Sequence, residues 1–265
     1  MNKIPRAVIL VLMAAAVILP LTILVLWAVS SGWKYPNLLP QFSFDTIKSY
    51  FESNMISKVF VNSVILSSIV TLFSAILGIL PAKYLGTLNF RGKTLLYILM
   101  MIPAMTPGIC IVFGTIGVTI RLDIYRQYYT MVLAQLAFTL PYFIFTLTPV
   151  FKKYDLDYEK QSMMLGVGTV NTFFNVTLPS VKSGLAISCM YAFIISWSTY
   201  LITTVTAPNG FSTIATELIP MISSSSVTYS SIAVCVILFI LPALIFLIVS
   251  ALIIKSDDAN TGGPQ

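Results

Sequence analysis

The sequence contains no histidine, only three cysteines and few charged residues, which make up 9% of its 265 positions. Without histidine, a Cys/His zinc site, a Cys/His dyad and a histidine-based triad are excluded. Cys110, Cys189 and Cys235 lie in apolar segments without metal-ligand spacing, so we interpret them as inert thiols. Soluble domains carry about 25% charged residues. So few charges cannot cover a water-facing surface, and the composition predicts a polytopic membrane protein.

Six apolar segments are long enough to cross a bilayer, which takes about 20 helical residues. They cover approximately residues 7–30, 57–82, 94–119, 128–150, 183–206 and 229–254. The first is longer than the core of a cleavable signal and is interpreted as a retained span. Backbone groups in lipid must be hydrogen-bonded within a segment, so the spans are predicted to be helices. We expect one all-α transmembrane domain over residues 1–256 and a disordered tail over 257–265.

The basic residues predict the orientation of the chain. The net charge is +6, and no soluble domain is present whose basic face could bind nucleic acid. With a cytoplasmic N-terminus, ten of the 15 Lys and Arg residues face the cytoplasm, as positively charged cytoplasmic loops require. These ten are Lys3, Arg6, Lys83, Arg91, Lys93, Lys152, Lys153, Lys160, Lys182 and Lys255. The pattern favours six spans with both termini inside and a cytoplasmic loop over residues 151–182.

Two spans carry candidate residues for a polar pathway. Pro103 and Pro107 break or kink the third span, where a broken helix could line a conduit. The fifth span contains a hydroxyl-rich and aromatic cluster: Ser196, Trp197, Thr199, Tyr200 and Thr203. Ordinary helix packing explains either feature equally well, because Pro, Gly, Ser and Thr are common between membrane helices. No Asp or Glu lies deep in a predicted span, which argues against an ion-coupled carrier. A passive channel or an ion-coupled secondary transporter stays the alternative function.

The loop between the fourth and fifth spans, "DLDYEKQSMMLGVGTVNTFFNVTLP" over residues 155–179, predicts a helical hairpin. Asp155 and Asp157 suit a helix N-terminus. Gly166 and Gly168 allow a sharp turn, and a second short helix is expected from about Thr169 to Asn175. A plain surface connection is usually shorter than this. Exposed methionines suit the groove of a partner, so the hairpin is interpreted as a docking element.

The hairpin resembles the signature of integral membrane permease subunits of binding-protein-dependent ABC importers. The spacing from Gly166 to Val176, Leu178 and Pro179 matches that motif. Lys160, Gln161 and Ser162 stand where the motif has Glu-Ala-Ala, and Glu159 is one position early. The resemblance covers nearly the whole chain. The stretch "SWSTYLITTVTAPNG" is most similar to permeases of the polyamine, phosphonate, ferric-iron and thiamine group.

The resemblance implies a type I ABC importer permease (MetI-like) fold in a prokaryotic inner membrane, without catalysis by this chain. It implies no bound cofactor, with ATP and Mg on a partner ATPase, for which the sequence has no phosphate loop. Expected partners are two ATP-binding subunits, a second permease chain (a heterodimer, given the degenerate motif), an extracytoplasmic substrate-binding protein and lipid. The implied cargo is a small polar solute such as a polyamine. The implied ATPase-coupling residues are Glu159, Lys160, Gln161, Ser162, Met163, Met164, Gly166, Leu178 and Pro179.

Overall fold

The computed structural model describes residues 3–30, 33, 41–52, 54–224 and 229–260. In these residues the regular structure is helical, apart from an isolated bridge between Ser30 and Phe42. The helices are α1 (Lys3–Ala28), α2 (Asp45–Glu52), α3 (Asn54–Thr87), α4 (Lys93–Met105), α5 (Gly108–Arg121), α6 (Tyr128–Lys152), α7 (Asp157–Met164), α8 (Thr169–Thr172), α9 (Leu178–Ser180), α10 (Lys182–Ser198), α11 (Tyr200–Thr206), α12 (Ile214–Ser223) and α13 (Tyr229–Asn260). A π-helical segment, Phe173–Thr177, joins α8 to α9. The predicted all-α fold class is confirmed.

The chain divides into two compact units, Met1–Val61 with Thr213–Leu241 and Asn62–Ser212 with Pro242–Gln265. In the first unit, Ala28 packs with Ala233 and Val234. The Ser230 hydroxyl donates to the carbonyl of Ser30 at 2.7 Å, which fixes the end of the apolar run of α1. Small and hydroxyl-bearing side chains let membrane helices approach closely, so this contact is typical of lipid-embedded packing.

The core of the second unit lies around α6. Phe143, Leu147 and Phe151 of α6 are fully buried, and Ala82 and Leu85 of α3 belong to the same apolar cluster. Glycines make the close approach of α3 to α6 possible. A Cβ atom placed on Gly86 would lie 2.5 Å from Phe151 Cβ, and one on Gly78 would lie 2.5 Å from a ring atom of Phe143. The glycines of α3 therefore leave room for the large side chains of α6.

Three helices are long and apolar enough to cross a membrane: Ile56–Thr87, Tyr128–Lys152 and Tyr229–Ile253. Two further pairs qualify only if each bent pair is one span: Lys93–Met105 with Gly108–Arg121, bent by 94°, and Thr169–Ser180 with Lys182–Ser198, bent by 79°. Shorter apolar helices cover Ile18–Ala28 and Ile214–Ser223. The described residues thus contain three to five spans by length and composition. The number six and the orientation stay predictions.

The structure corrects three predicted boundaries. The third span, predicted as one segment over 94–119, breaks at Thr106, whose extended backbone (φ −77°, ψ 132°) is the conformation favoured before a proline such as Pro107. The fifth, predicted over 183–206, breaks at Thr199 (φ −75°, ψ 96°). The predicted disordered tail begins in a helix, because α13 continues to Asn260. The remaining tail residues, 261–265, lie outside the described part of the chain.

Candidate functional site

The hairpin predicted between the fourth and fifth spans is present. Its first arm is α7, and the Asp155 carboxylate accepts the free backbone N–H of Asp157 at 2.9 Å. Gly166 has a φ of +87°, which only glycine adopts without strain, so the chain reverses there. The second arm is longer than predicted. It runs from Thr169 through the π-helical segment to Ser180, with Pro179 inside its last turn rather than beyond it.

The inner face of the hairpin, which we define by Glu159, Ser162, Thr172 and Thr177, is polar and hydrogen-bonded. Glu159 is only 8% exposed. The Lys83 ammonium of α3 is 2.7 Å from its carboxylate, and the Thr177 hydroxyl donates to that carboxylate at 2.6 Å. Ser162 and Thr172 share a hydrogen bond of 3.1 Å between the two arms. Every polar group on this face therefore has a partner within the same unit.

Glu159 is ionised although it is buried. Burial by itself raises the pKa of this carboxyl, but the hydrogen bonds from Lys83 and Thr177 and the positive charge of Lys83 outweigh that effect. The net result is a pKa below the usual glutamate value. At neutral pH the group is a carboxylate paired with an ammonium, which is the arrangement that makes a buried charge tolerable.

The outer face, which we define by Met164 and Leu165, is apolar and exposed, and it lies apart from the residues that line the groove between the hairpin and α3. Met164 is 86% exposed and Leu165 is 84% exposed. Apolar side chains grouped at this exposure indicate a surface that another molecule covers. Lys160 lies beside this face and forms a solvent-exposed ion pair of 2.6 Å with Asp157.

A groove of about 530 Å³ separates the hairpin from α3. Its walls are mostly apolar, with Ile76 and Leu80 on α3 and Val170 and Phe174 on the hairpin. Lys83, Glu159 and Thr177 are among the polar residues of its lining. The ion pair thus connects two elements that are otherwise partly separated by open space.

The predicted coupling residues fall into two groups. Lys160, Gln161, Met163, Met164, Gly166 and Pro179 are exposed, whereas Glu159 is buried and Ser162 and Leu178 are partly buried. The sequence did not distinguish Glu159 from Lys160, which are one helical step apart. It also missed Lys83, Leu165, Val170 and Thr177. The isolated charge of Lys83 near the end of an apolar run was the one signal that could have found its role.

The predicted pathway residues of the fifth span also divide into buried and partly exposed residues. Ser196 donates to Gln135 Oε1 at 2.5 Å, and Gln135 Nε2 donates to Thr203 at 2.7 Å. All three residues are buried, as is Trp197, which stacks on Phe193. Ser196 and Thr203 therefore join α6 to α10 and α11, the helix-packing role that the sequence had left open. Thr199, at the break, and Tyr200 are partly exposed.

The break in the third span borders a separate cavity. About 520 Å³ in volume, it is lined mainly by apolar residues of α4, α5 and α6, Pro103 among them. The Tyr142 hydroxyl donates to the carbonyl of Ala104 at 3.1 Å, which satisfies a group near the helix end. Pro107 is exposed at the break. The span breaks at Thr106 and Pro107, as predicted for Pro107, whereas Pro103 lies within α4. A role in lining a conduit stays a prediction.

Comparison with a solved structure shows the class of the fold. A crystal structure of a bacterial ABC transporter involved in the import of the acidic polysaccharide alginate matches with a TM-score of 0.74, over 93% of this chain and 94% of that chain. The sequence identity is 16%, so the likeness shows a shared fold alone. The fold is therefore that of an all-α polytopic membrane protein.

The sequence then shows the family. Residues 74–256 match the model of the binding-protein-dependent transport system inner membrane component, and the chain belongs to this family. It is a multi-pass inner-membrane permease of the ABC type. The trehalose transport system permease SugB of Mycobacterium tuberculosis is 28% identical over 67% of this chain. A homolog of the spermidine/putrescine permease PotC from Mycoplasma genitalium is 26% identical over 60%.

The coverage and the different cargoes of these relatives limit what they indicate about the cargo of this chain. The matched stretches cover 68% of the SugB chain and 57% of the PotC homolog. One relative is named for a disaccharide and the other for polyamines, so the resemblance to the polyamine group is not distinctive.

Proposed function

We propose that this chain is the permease subunit of an ATP-driven importer and that the outer face of its hairpin docks on a cytoplasmic ATP-binding subunit. The exposure of Met164 and Leu165 carries this proposal, because such side chains gain free energy only when a partner buries them. The hydrogen bonds of the inner face support the same proposal, because they hold the hairpin in place and keep its outer face exposed.

The partners follow from the family. Two ATP-binding subunits would supply ATP, Mg and hydrolysis, a second permease chain would complete the pathway, and an extracytoplasmic binding protein would deliver the cargo. Two permeases rocking between inward and outward states form a two-state system that ATP biases through differential affinity. This chain would hold no nucleotide itself.

We propose that the cargo is a neutral sugar, with a polyamine as the alternative. Tyr191, Ser198 and Thr204 are exposed on α10 and α11, and aromatic rings with hydroxyl groups suit a polyol. The 28% identity to a trehalose permease supports the same class. Glu217 in the apolar helix α12 favours the alternative, because a polyamine needs carboxylates.

The docking proposal is tested with the double variant Met164→Asp/Leu165→Asp. Two charges on a surface that a partner buries should reduce co-purification of the ATP-binding subunit and ATP-dependent uptake by more than about tenfold. The matched control is Met164→Leu/Leu165→Met, which keeps an apolar face and should retain both.

Proteoliposomes holding the complete complex with its binding protein then receive labelled trehalose and labelled spermidine in parallel. Uptake of trehalose alone supports the sugar, and uptake of spermidine alone supports the polyamine. Uptake that proceeds without ATP, or full ATPase docking by the double aspartate variant, would refute the proposed function.

A further inference from the structure

Glu159 and Lys160 are neighbours on α7, yet they form very different ion pairs. Successive helical residues point about 100° apart, so the two side chains lie on different faces. Lys160 is 2.6 Å from Asp157, and both side chains are about two-thirds exposed. Glu159 is 2.7 Å from Lys83, with side-chain exposures of 11% and 18%. Only the second pair joins the hairpin to another helix.

The Glu159 carboxylate is a meeting point of three elements. Lys83 approaches both of its oxygens at 2.7 Å and comes from α3, 76 positions earlier in the chain. Thr177 comes from the π-helical segment of the second arm and donates at 2.6 Å. Glu159 therefore joins the first arm to Lys83 of α3 and, through Thr177, joins the second arm to the first. π-helical turns are frequent at functional sites, and here one supplies the Thr177 hydroxyl.

Stability alone does not explain this pair. Burying two charges costs desolvation free energy, and apolar replacements of buried pairs are often as stable. What a buried, hydrogen-bonded pair does supply is a fixed geometry, because moving either partner exposes an uncompensated charge. Among the described residues, it is the one buried ion pair of the chain. The rest of the boundary between hairpin and α3 includes the apolar groove.

Lys83 connects the hairpin to the end of a helix that can span the membrane. Lys83 lies one turn before the end of α3, whose segment Ile56–Thr87 is long and apolar enough to span the membrane. A displacement of the hairpin therefore acts on the end of a spanning helix through short, charge-assisted hydrogen bonds, which are stronger than neutral ones.

We propose that Glu159 is a positioning residue which, with Lys83 and Thr177, forms a strut that makes the hairpin and α3 move as one body. Contact with the ATPase is left to the outer face, since the Glu159 carboxylate is already engaged inside the chain. The transport role of the strut rests on the proposed function, whereas its mechanical role does not.

The mechanical role is tested on the full-length permease in lipid nanodiscs by amide hydrogen exchange. In Glu159→Ala and Lys83→Met, exchange in residues 157–164 and 169–180 should be at least about tenfold faster, because a charge-assisted anchor is lost. Asp157→Ala removes a carboxylate that is 2.6 Å from an ammonium, close to the 2.7 Å of the Glu159 pair, but at the surface, and exchange should stay within about threefold of wild type. Equal exchange in Glu159→Ala and Asp157→Ala would overturn the strut.

The transport role is tested in the reconstituted complex, with trehalose and spermidine as probes and ATP hydrolysis measured beside uptake. Breaking the strut leaves the docking face intact, so hydrolysis should continue while uptake per ATP falls at least about tenfold. A purely structural role would lower both together and leave that ratio unchanged, which would overturn the proposal. The reversed pair Lys83→Glu/Glu159→Lys should recover a large part of the ratio, and no recovery would count against the strut.

The two proposals fail in different ways. If the wild-type complex shows no ATP-dependent uptake, the proposed function fails, and the exchange experiment still decides whether the strut exists. If the wild type transports and Glu159→Ala transports with an unchanged ratio, the strut fails and the proposed function stands.

Discussion

The two faces of the hairpin reverse the usual arrangement of a water-exposed element. Its inner face carries Glu159, Ser162, Thr172 and Thr177 in hydrogen bonds, and its outer face presents Met164 and Leu165 to solvent. A surface helix of a soluble protein normally buries its apolar side. The hairpin is therefore held to α3 by polar contacts on its inner face, and its apolar outer face is the surface that we propose a partner covers.

In this arrangement one face holds the hairpin to α3, and the other face is the one that we propose docks a partner. Directional hydrogen bonds to Lys83 of α3 fix where the hairpin lies, whereas the proposed docking of the outer face would depend on non-directional apolar burial. Substitutions on the inner face should therefore change stability and coupling, and substitutions on the outer face should change partner binding alone. The double aspartate variant of the outer face tests docking, and three further pairs of variants test the packing and the hydrogen bonds that hold the hairpin and its support.

The largest effect on stability is expected where α3 packs against α6, at Gly86. A Cβ atom there would lie 2.5 Å from Phe151 Cβ and 2.9 Å from backbone atoms of α6, which cannot move aside easily. Gly86→Ala should therefore destabilise the protein by about 3 kcal/mol or more through overpacking. The control is Gly114→Ala, in α5, where a Cβ would meet no described atom within 4 Å. Thermal unfolding in detergent measures both, and an equally stable Gly86→Ala would contradict the close packing of α3 on α6.

A middle-sized effect is expected from exchanging Thr and Val at a buried and at an exposed position of the hairpin, Thr177 and Val170. Thr177→Val keeps the shape of the side chain but removes a hydrogen bond to a charged group, which should cost about 1.5–3 kcal/mol. Val170→Thr, at an exposed position on the wall of the groove, should change stability by less than about 0.5 kcal/mol. Unfolding midpoints of the two variants give the comparison directly. Equal losses at both sites would contradict the assignment of the hydrogen bond between Thr177 and Glu159 as a stabilising contact.

The smallest effect is expected at the turn that joins the two arms. Gly166 has a φ of +87°, so Gly166→Ala should cost about 1–2 kcal/mol in backbone strain. Gly168 has a φ of −64°, which alanine adopts freely, so Gly168→Ala should be neutral or stabilising by up to about 1 kcal/mol. The same unfolding measurement applies, and a neutral Gly166→Ala would mean that the turn tolerates a different backbone conformation.

The hairpin also shows how far prediction from the sequence can go. The Asp155 cap, the arm α7 and the turn at Gly166 were predicted, because capping and turn formation depend on residues close together in the chain. The length of the second arm was not, since neither the π-helical segment nor the helical setting of Pro179 has a local signal as strong as a glycine turn. The assignment of Glu159 to a coupling surface rested on the motif alone and ignored which face of α7 it occupies.

The sequence by itself determined that the protein is helical and lipid-embedded, that it carries a Gly-turned hairpin and that it resembles an importer permease. Composition, apolar runs and motif spacing are properties of short stretches, so they can be recognised before folding. Only the tertiary structure decided that Lys83 meets Glu159, that Gln135 joins Ser196 to Thr203 and that Met164 and Leu165 face outward. The physical reason is that a buried charge or amide needs a partner within about 3 Å. Which distant residue supplies that partner depends on how the helices pack.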